Sequence, residues 1–146
     1  MTKPLHIAVA GLGTVGAGVV RLLAENAPEL TARCGRALKL VAVSARDRDR
    51  ERGIDHSGAK WFDDPVAMAK AKGIDVVVEL IGGADGIARA VVEAAIAAKR
   101  AVVTANKALL AHHGTELARA AEAKGVALSF EAAVAGGIPI IKALRE

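Results

Sequence analysis

Short, wholly apolar runs alternate along the chain with longer stretches whose apolar residues recur every three or four positions. Leu5–Ala10 is apolar at nearly every position, which predicts a strand covered on both faces. From Thr14 to Asn26, Val15, Val19, Leu22 and Leu23 share one helical face, and Pro28 ends that predicted helix. Glu29 to Ala37 reads as a polar connection and Leu38–Ser44 as a second strand. A charged run, Arg46–Arg52, and an irregular stretch to Lys60 follow, with Trp61-Phe62 as a short strand or anchor. Asp63 or Asp64 caps a helix with Pro65 in its first turn, running to about Lys72 and stopped by Gly73. Asp75–Leu80 is a third strand, Gly86–Lys99 an alanine-rich helix and Ala101–Thr104 a fourth strand. A helix over about Gly114–Lys124, stopped by Gly125, leads to a fifth strand, Val126–Phe130. Glu131 to Gly137 is a small-residue loop, and a last helix opens at Ile138, with Pro139 in its first turn, and runs to Glu146.

Strands that alternate with helices predict a parallel sheet with helices on both faces. Right-handed crossovers make it a doubly wound, Rossmann-type α/β domain, here one domain over 1–146. Ligands bind such sheets at the carboxyl ends of the strands. The residues to weigh are therefore those just after each strand.

After the first strand stands Gly11-Leu12-Gly13-Thr14-Val15-Gly16. Gly11 allows the tight turn, Gly13 admits a pyrophosphate with no Cβ in the way, and Gly16 lets the helix sit close. The helix N-terminus adds free N–H groups and a positive dipole end. This predicts dinucleotide binding, against the plainer reading of a turn that only packs tightly. After the second strand, Ser44-Ala45-Arg46 offers no carboxylate for a ribose 2′-hydroxyl. Arg46 is placed to pair with a 2′-phosphate, which favours NADP. Asp47 and Asp49 keep NAD open, and Lys60 is a weaker candidate for the same region.

Ile81-Gly82-Gly83 puts small residues, Gly82 among them, beside the far half of the cofactor. Glu79 stands inside an apolar run and is assigned no catalytic role. Lys107, just beyond the fourth strand, suits an anionic or carbonyl substrate, or equally a solvated helix start.

Composition removes several other classes. Just over half of the 146 residues are hydrophobic, so a core can form and disorder is excluded. The net charge of +4 is modest and not gathered in a tail. Trp61, Phe62 and Phe130 are the only aromatic residues, too few for a single-stranded nucleic-acid platform. No apolar run reaches membrane-spanning length. Cys34 is the single cysteine, which excludes an internal disulfide and suits a reducing cytoplasm. His112-His113 and His6 have no carboxylate cluster beside them and read as surface, capping or strand residues.

Four motifs carry a resemblance: the glycine turn, Val-Val-Glu-Leu-Ile-Gly-Gly at 77–83, Val-Thr-Ala-Asn-Lys-Ala-Leu at 103–109, and Phe-Glu-Ala-Ala-Val-Ala-Gly-Gly-Ile-Pro-Ile-Ile at 130–141. Together they resemble the N-terminal part of homoserine dehydrogenase over essentially the whole chain. The resemblance implies reversible reduction of aspartate 4-semialdehyde to homoserine with NADPH or NADH, on the route to threonine, methionine and isoleucine. It implies Lys107 at the junction of cofactor and substrate, and Thr14, Val15, Ala45 and Arg46 at cofactor contacts. It also implies a monovalent cation, sodium, near Glu131, Val134, Gly136 and Ile138, a loop whose carbonyls suit a hard cation.

The family's substrate-binding acids, a second lysine and the sheet used for dimerisation lie beyond Glu146. The chain is therefore expected to be the cofactor domain alone. It should bind dinucleotide with little turnover, its longer form taking a small amino-acid-like substrate and forming a homo-oligomer. Another amino-acid or semialdehyde dehydrogenase, such as aspartate dehydrogenase, or a non-catalytic NAD(P)-sensing module, stays open beside this reading.

Overall fold

The apolar run near the N-terminus becomes the middle of a sheet because both of its faces are apolar. The computed structural model describes residues 2–136 and 138–145. Among them, six strands form one sheet in the order β3-β2-β1-β4-β5-β6. These are β1 Leu5–Ala10, β2 Leu38–Ser44, β3 Lys60–Trp61, β4 Val76–Glu79, β5 Ala101–Thr104 and β6 Leu128–Ser129. Every neighbouring pair is parallel. The order reverses between β1 and β4, the point at which doubly wound sheets open a ligand crevice.

Successive strand residues point to opposite faces, and two cores result. Ile7, Val9, Val43 and Val78 pack with Val20 of helix α1 (Thr14–Glu25). Helix α2 (Ala27–Cys34) lies on the same side, against α1 and β2. Ala8, Ala42, Val77 and Val102 pack on the other side against three helices, α3 (Pro65–Lys70), α4 (Ile87–Ala97) and α5 (Lys107–Lys124). Met68, Val91, Val92, Leu109 and Leu117 fill this larger core. Each such burial stabilises by about 1.5–3 kcal/mol. A short helix α6 (Ile140–Arg145) ends the described chain, and Glu146, where the expected helix stops, lies outside the described residues.

Register matters most at the carboxyl edge. Ala10 pairs with Ser44 on one side and Glu79 on the other, and Glu79 pairs with Thr104. Ser44, Ala10, Glu79 and Thr104 thus form one row across four strands, all at most 2% exposed. Each loop of the crevice starts from one of these four residues.

Several boundaries differ from the sequence reading. The stretch after Pro28 is helical, not a connection. Proline has no N–H to lose in a first turn, and α2 carries Pro28 there and buries no residue. The lone thiol, Cys34, is exposed at its end. Helix α5 starts at Lys107 rather than near Gly114, because the Asn106 side chain accepts the amide N–H of Leu109 and starts the helix earlier. Gly114 therefore sits inside the helix. Lys60-Trp61 supplies an edge strand beside β2, and β6 is shorter than expected. Glu131–Ala133 is a single 3-10 turn inside the small-residue loop.

Candidate dinucleotide-binding site

The glycine turn sits at the switch point, held from two sides. The Gly11 amide donates to the Ser44 carbonyl at 2.8 Å, and the Leu80 amide to the Ala10 carbonyl at 2.8 Å. Gly11 has φ +98, and a Cβ there would stand 2.6 Å from the Leu80 carbonyl oxygen. A Cβ on Gly16 would lie 1.9 Å from the Gly11 carbonyl oxygen. These two glycines are therefore required by the protein's own backbone. Gly13 is different: a Cβ there would meet nothing within 4 Å. It borders open space. Gly13 is also the N-cap of α1, where no side chain caps the helix and no acid stands in the first turn. Helices α3 and α5, by contrast, are capped by Asp64 and Asn106. The α1 N-terminus thus opens on the crevice without a side-chain cap, as α2 and α4 open elsewhere without one.

A cleft of about 780 Å³ opens above this turn, lined by Gly11, Leu12, Gly13, Ser44, Ala45, Arg46, Leu80 and Ile81, with residues of the charged run and of 63–65. Among its lining carboxylates, each accepts a donor from its own neighbourhood. Asp47 accepts the amides of Asp49 and Arg50, Asp63 the Trp61 indole N–H, and Asp64 the Val66 amide. Arg46 and Arg50 also line the cleft, and both are exposed.

Arg52 was not singled out by the sequence. Its guanidinium donates to the carbonyl of Leu12 at 3.2 Å, of Arg50 at 2.6 Å, and of Asp47. It ties the glycine turn to the loop after β2 and lies 5.8 Å from the Trp61 ring centroid. In the charged run it looks like any other solvated residue, so no local signal could have marked it. Lys60 lies over the Phe62 ring at 4.7 Å and is not part of the cleft lining.

Across the switch point a buried polar cluster joins the ends of β4 and β5. Glu79 is fully buried. One of its oxygens accepts the amides of Ile81 (2.7 Å) and Gly82 (3.3 Å); the other accepts the Thr104 hydroxyl at 2.6 Å. Thr104 Oγ1 accepts the Asn106 amide at 3.0 Å, and Asn106 Nδ2 donates to the Gly83 carbonyl at 2.7 Å. The Asn106 cap in turn fixes the first turn of α5, where Lys107 stands. Farther out, His113 Nε2 lies 2.7 Å from Asp85, and its Nδ1 lies 3.0 Å from Arg89. Arg89 pairs with Glu93 and Glu116, and its hydrogen bond to Glu93 holds the guanidinium above its ordinary pKa. His113 is thus a cross-helix bridge, not a plain surface residue.

The sequence-derived candidates fall into two groups. Gly11, Gly13, Ala45 and Arg46 line the first cleft, with Thr14, Val15 and Gly16 opening the helix behind it. Lys107 and Val134 line a second groove of about 540 Å³ between α5 and the 128–134 segment. Gly82 lies between the groups, with φ +85, and is tied to the second through Glu79 and Asn106. Glu131 opens the 3-10 turn; Gly136 and Ile138 are exposed beyond it. Among the described residues no cluster of three or more His, Cys, Asp or Glu could hold a metal, and no helix is long and apolar enough to cross a membrane.

A parallel sheet of this order, with a glycine turn at its switch point beneath a cleft, is a Rossmann-type domain of the dinucleotide-binding class. Residues 11–131 match the family model of the homoserine dehydrogenase NAD-binding domain. The chain belongs to that family. It is 48% identical over 144 residues to the homoserine dehydrogenase of Neisseria gonorrhoeae, covering 99% of this chain and 33% of that protein. It is 47% identical over 146 residues to that of Pseudomonas aeruginosa, covering 99% and 32%. The crystal structure of a homoserine dehydrogenase from Thiobacillus denitrificans superposes with a TM-score of 0.90 at 49% identity, over 99% of this chain and 33% of that one. The chain thus spans about a third of the length of these relatives.

Proposed function

We propose that this domain serves a homoserine dehydrogenase that interconverts L-homoserine and L-aspartate 4-semialdehyde, with NADPH as the preferred cofactor and NADH as the alternative. The observation that carries the cofactor choice is the end of β2. Arg46 lines the cleft where a 2′-phosphate would project, Ser44 and Ala45 bring no carboxylate, and the nearby acids accept donors of their own loops. A guanidinium pairs with phosphate through a two-bond fork. Pyrophosphate falls to the α1 amides above Gly13, with Thr14, Val15 and Ala45 beside it.

When bound, the dihydronicotinamide supplies a hydride from C4 to the aldehyde carbon of the substrate. The chain's own part is binding, orientation and charge. Lys107, one residue beyond the Asn106 cap, carries a cation on the nicotinamide side of the switch point. Such a cation offsets negative charge growing on the carbonyl oxygen. The loop of Glu131, Val134, Gly136 and Ile138 offers backbone carbonyls to a sodium ion, a donor set that suits a hard monovalent cation. The Glu131 and Ile138 carbonyls accept the amides of Val134 and Ile140. The exposed thiol of Cys34 fits a reducing, cytoplasmic setting. A small amino-acid-like substrate and homo-oligomer contacts belong to a longer protein of the relatives' length.

Parallel titration of NADPH and NADH into wild type and Arg46→Ala tests the cofactor reading. Losing a charge-assisted bond should weaken NADPH by about 1.5–3 kcal/mol more than NADH. Equal losses for both would refute Arg46 as the reader of the 2′-phosphate.

A further inference from the structure

Glu79 is a fully buried carboxyl group with no partner of opposite charge among the described residues. Burying such a group without compensation is costly. An apolar residue would fill the same place in the strand, as Val77 and Val102 do on the same face. What Glu79 adds is three acceptor contacts, two to the loop after β4 and one to the end of β5. Two hold the backbone of Ile81 and Gly82, and the third takes the Thr104 hydroxyl proton.

The direction of each link is settled by its neighbours. The Asn106 amide has only a proton to give, so Thr104 Oγ1 accepts there and keeps its own proton for Glu79 Oε2. Asn106 then spends its own donor on Gly83 and its acceptor on the α5 amide of Leu109. The loop at 81–83 and the start of α5 are therefore locked to each other through β4 and β5. Neither moves without breaking one of these hydrogen bonds. Gly82 and Gly83, both at φ +85, would otherwise leave this loop highly mobile.

We infer that Glu79, acting through Thr104 and Asn106, is a positioning residue that fixes the loop at 81–83 and Lys107 as a single rigid seat for the nicotinamide half of the cofactor. The inference rests on the dinucleotide reading above. In a sheet of this order the two halves of a dinucleotide lie on opposite sides of the switch point. Pyrophosphate and adenosine belong to the β1–β2 side, so the nicotinamide belongs to β4 and β5, above the cluster. A seat of this kind lowers the ordering cost of binding that half and leaves the other half untouched.

The test compares NADPH with its 2′-phospho-ADP-ribose portion, which lacks only the nicotinamide ring. Both are titrated into wild type, Thr104→Val, Thr104→Ser and Asn106→Ser, with thermal unfolding followed in parallel. Thr104→Val removes the hydroxyl at nearly constant shape. Asn106→Ser keeps a helix cap but is too short to reach Gly83, so it serves if the valine variant does not fold. NADPH should bind about tenfold more weakly to Thr104→Val and Asn106→Ser, while the ring-free portion stays within about twofold. Thr104→Ser should restore most of the loss, and the enhancement of dihydronicotinamide fluorescence on binding should follow the same order. Equal weakening of both ligands, or of neither, overturns the positioning role. If wild type bound neither ligand, the cofactor reading itself would fall and this inference with it.

Discussion

Gly13 and Gly16 belong to one turn and meet opposite demands. The backbone of the protein itself excludes a side chain at Gly16, since a Cβ would lie 1.9 Å from the Gly11 carbonyl oxygen. At Gly13 the backbone has φ −72 and open space, so alanine fits the free protein. Gly16→Ala should therefore destabilise by at least about 1–3 kcal/mol in chemical denaturation, through overpacking. Gly13→Ala should leave stability within about 0.5 kcal/mol yet weaken dinucleotide by roughly tenfold or more, since the methyl enters the pyrophosphate's space. A Gly13→Ala protein that bound as tightly as wild type would remove Gly13 from the site. In the sequence the two glycines differ only in position within the motif. Arg46 and Lys107 were equally legible, because each follows a strand end. Arg52 and Glu79 were not, because their partners are distant or depend on register. Arg52 reaches Leu12, 40 residues away, and Glu79 meets Thr104 only once β4 and β5 are paired.

At the scale of elements, apolar pattern located every major strand and turn chemistry set most ends. Gly125 ends α5 in the left-handed conformation, φ 65, and its amide reaches the carbonyls of Ala121 and Glu122. Gly125→Ala should cost about 1 kcal/mol in urea denaturation with dinucleotide affinity unchanged, because the cap lies at the opposite end of α5 from Lys107. A loss of affinity in that variant would mean the two ends of α5 are coupled. The bounds misread were the start of α2, beside Pro28, and the start of α5, set by the Asn106 cap. Helix α2 has only a short apolar stripe, Ala27 and Leu30, which is partly and not fully buried. The sequence reading expects α5 from about Gly114, with Lys107 open between a ligand and a helix start, and one side-chain hydrogen bond to Asn106 starts the helix at Lys107.

For the molecule as a whole, dinucleotide binding is the property that this chain's own residues put to the test. The cleft at the switch point is formed by this chain's own residues. Dinucleotide at about a hundred times its Kd should then stabilise the fold by about 2.7 kcal/mol, visible as a rise in Tm. Little or no reduction of aspartate 4-semialdehyde should accompany it, since the chain spans about 33% of its relatives' length. A full-strength rate from this chain would overturn that expectation.

The sequence by itself determined the strand-helix alternation, the glycine turn, the arginine at the end of β2 and the lysine after β5. All of these follow from local periodicity and from the chemistry a strand end needs. Only the tertiary structure decided that Ser44, Ala10, Glu79 and Thr104 share one row, and that a buried carboxyl joins two loops across it. The reason is physical: side-chain period and turn preference act over a few residues. Which strand lies beside which, and at what register, is fixed by packing both faces of the sheet at once.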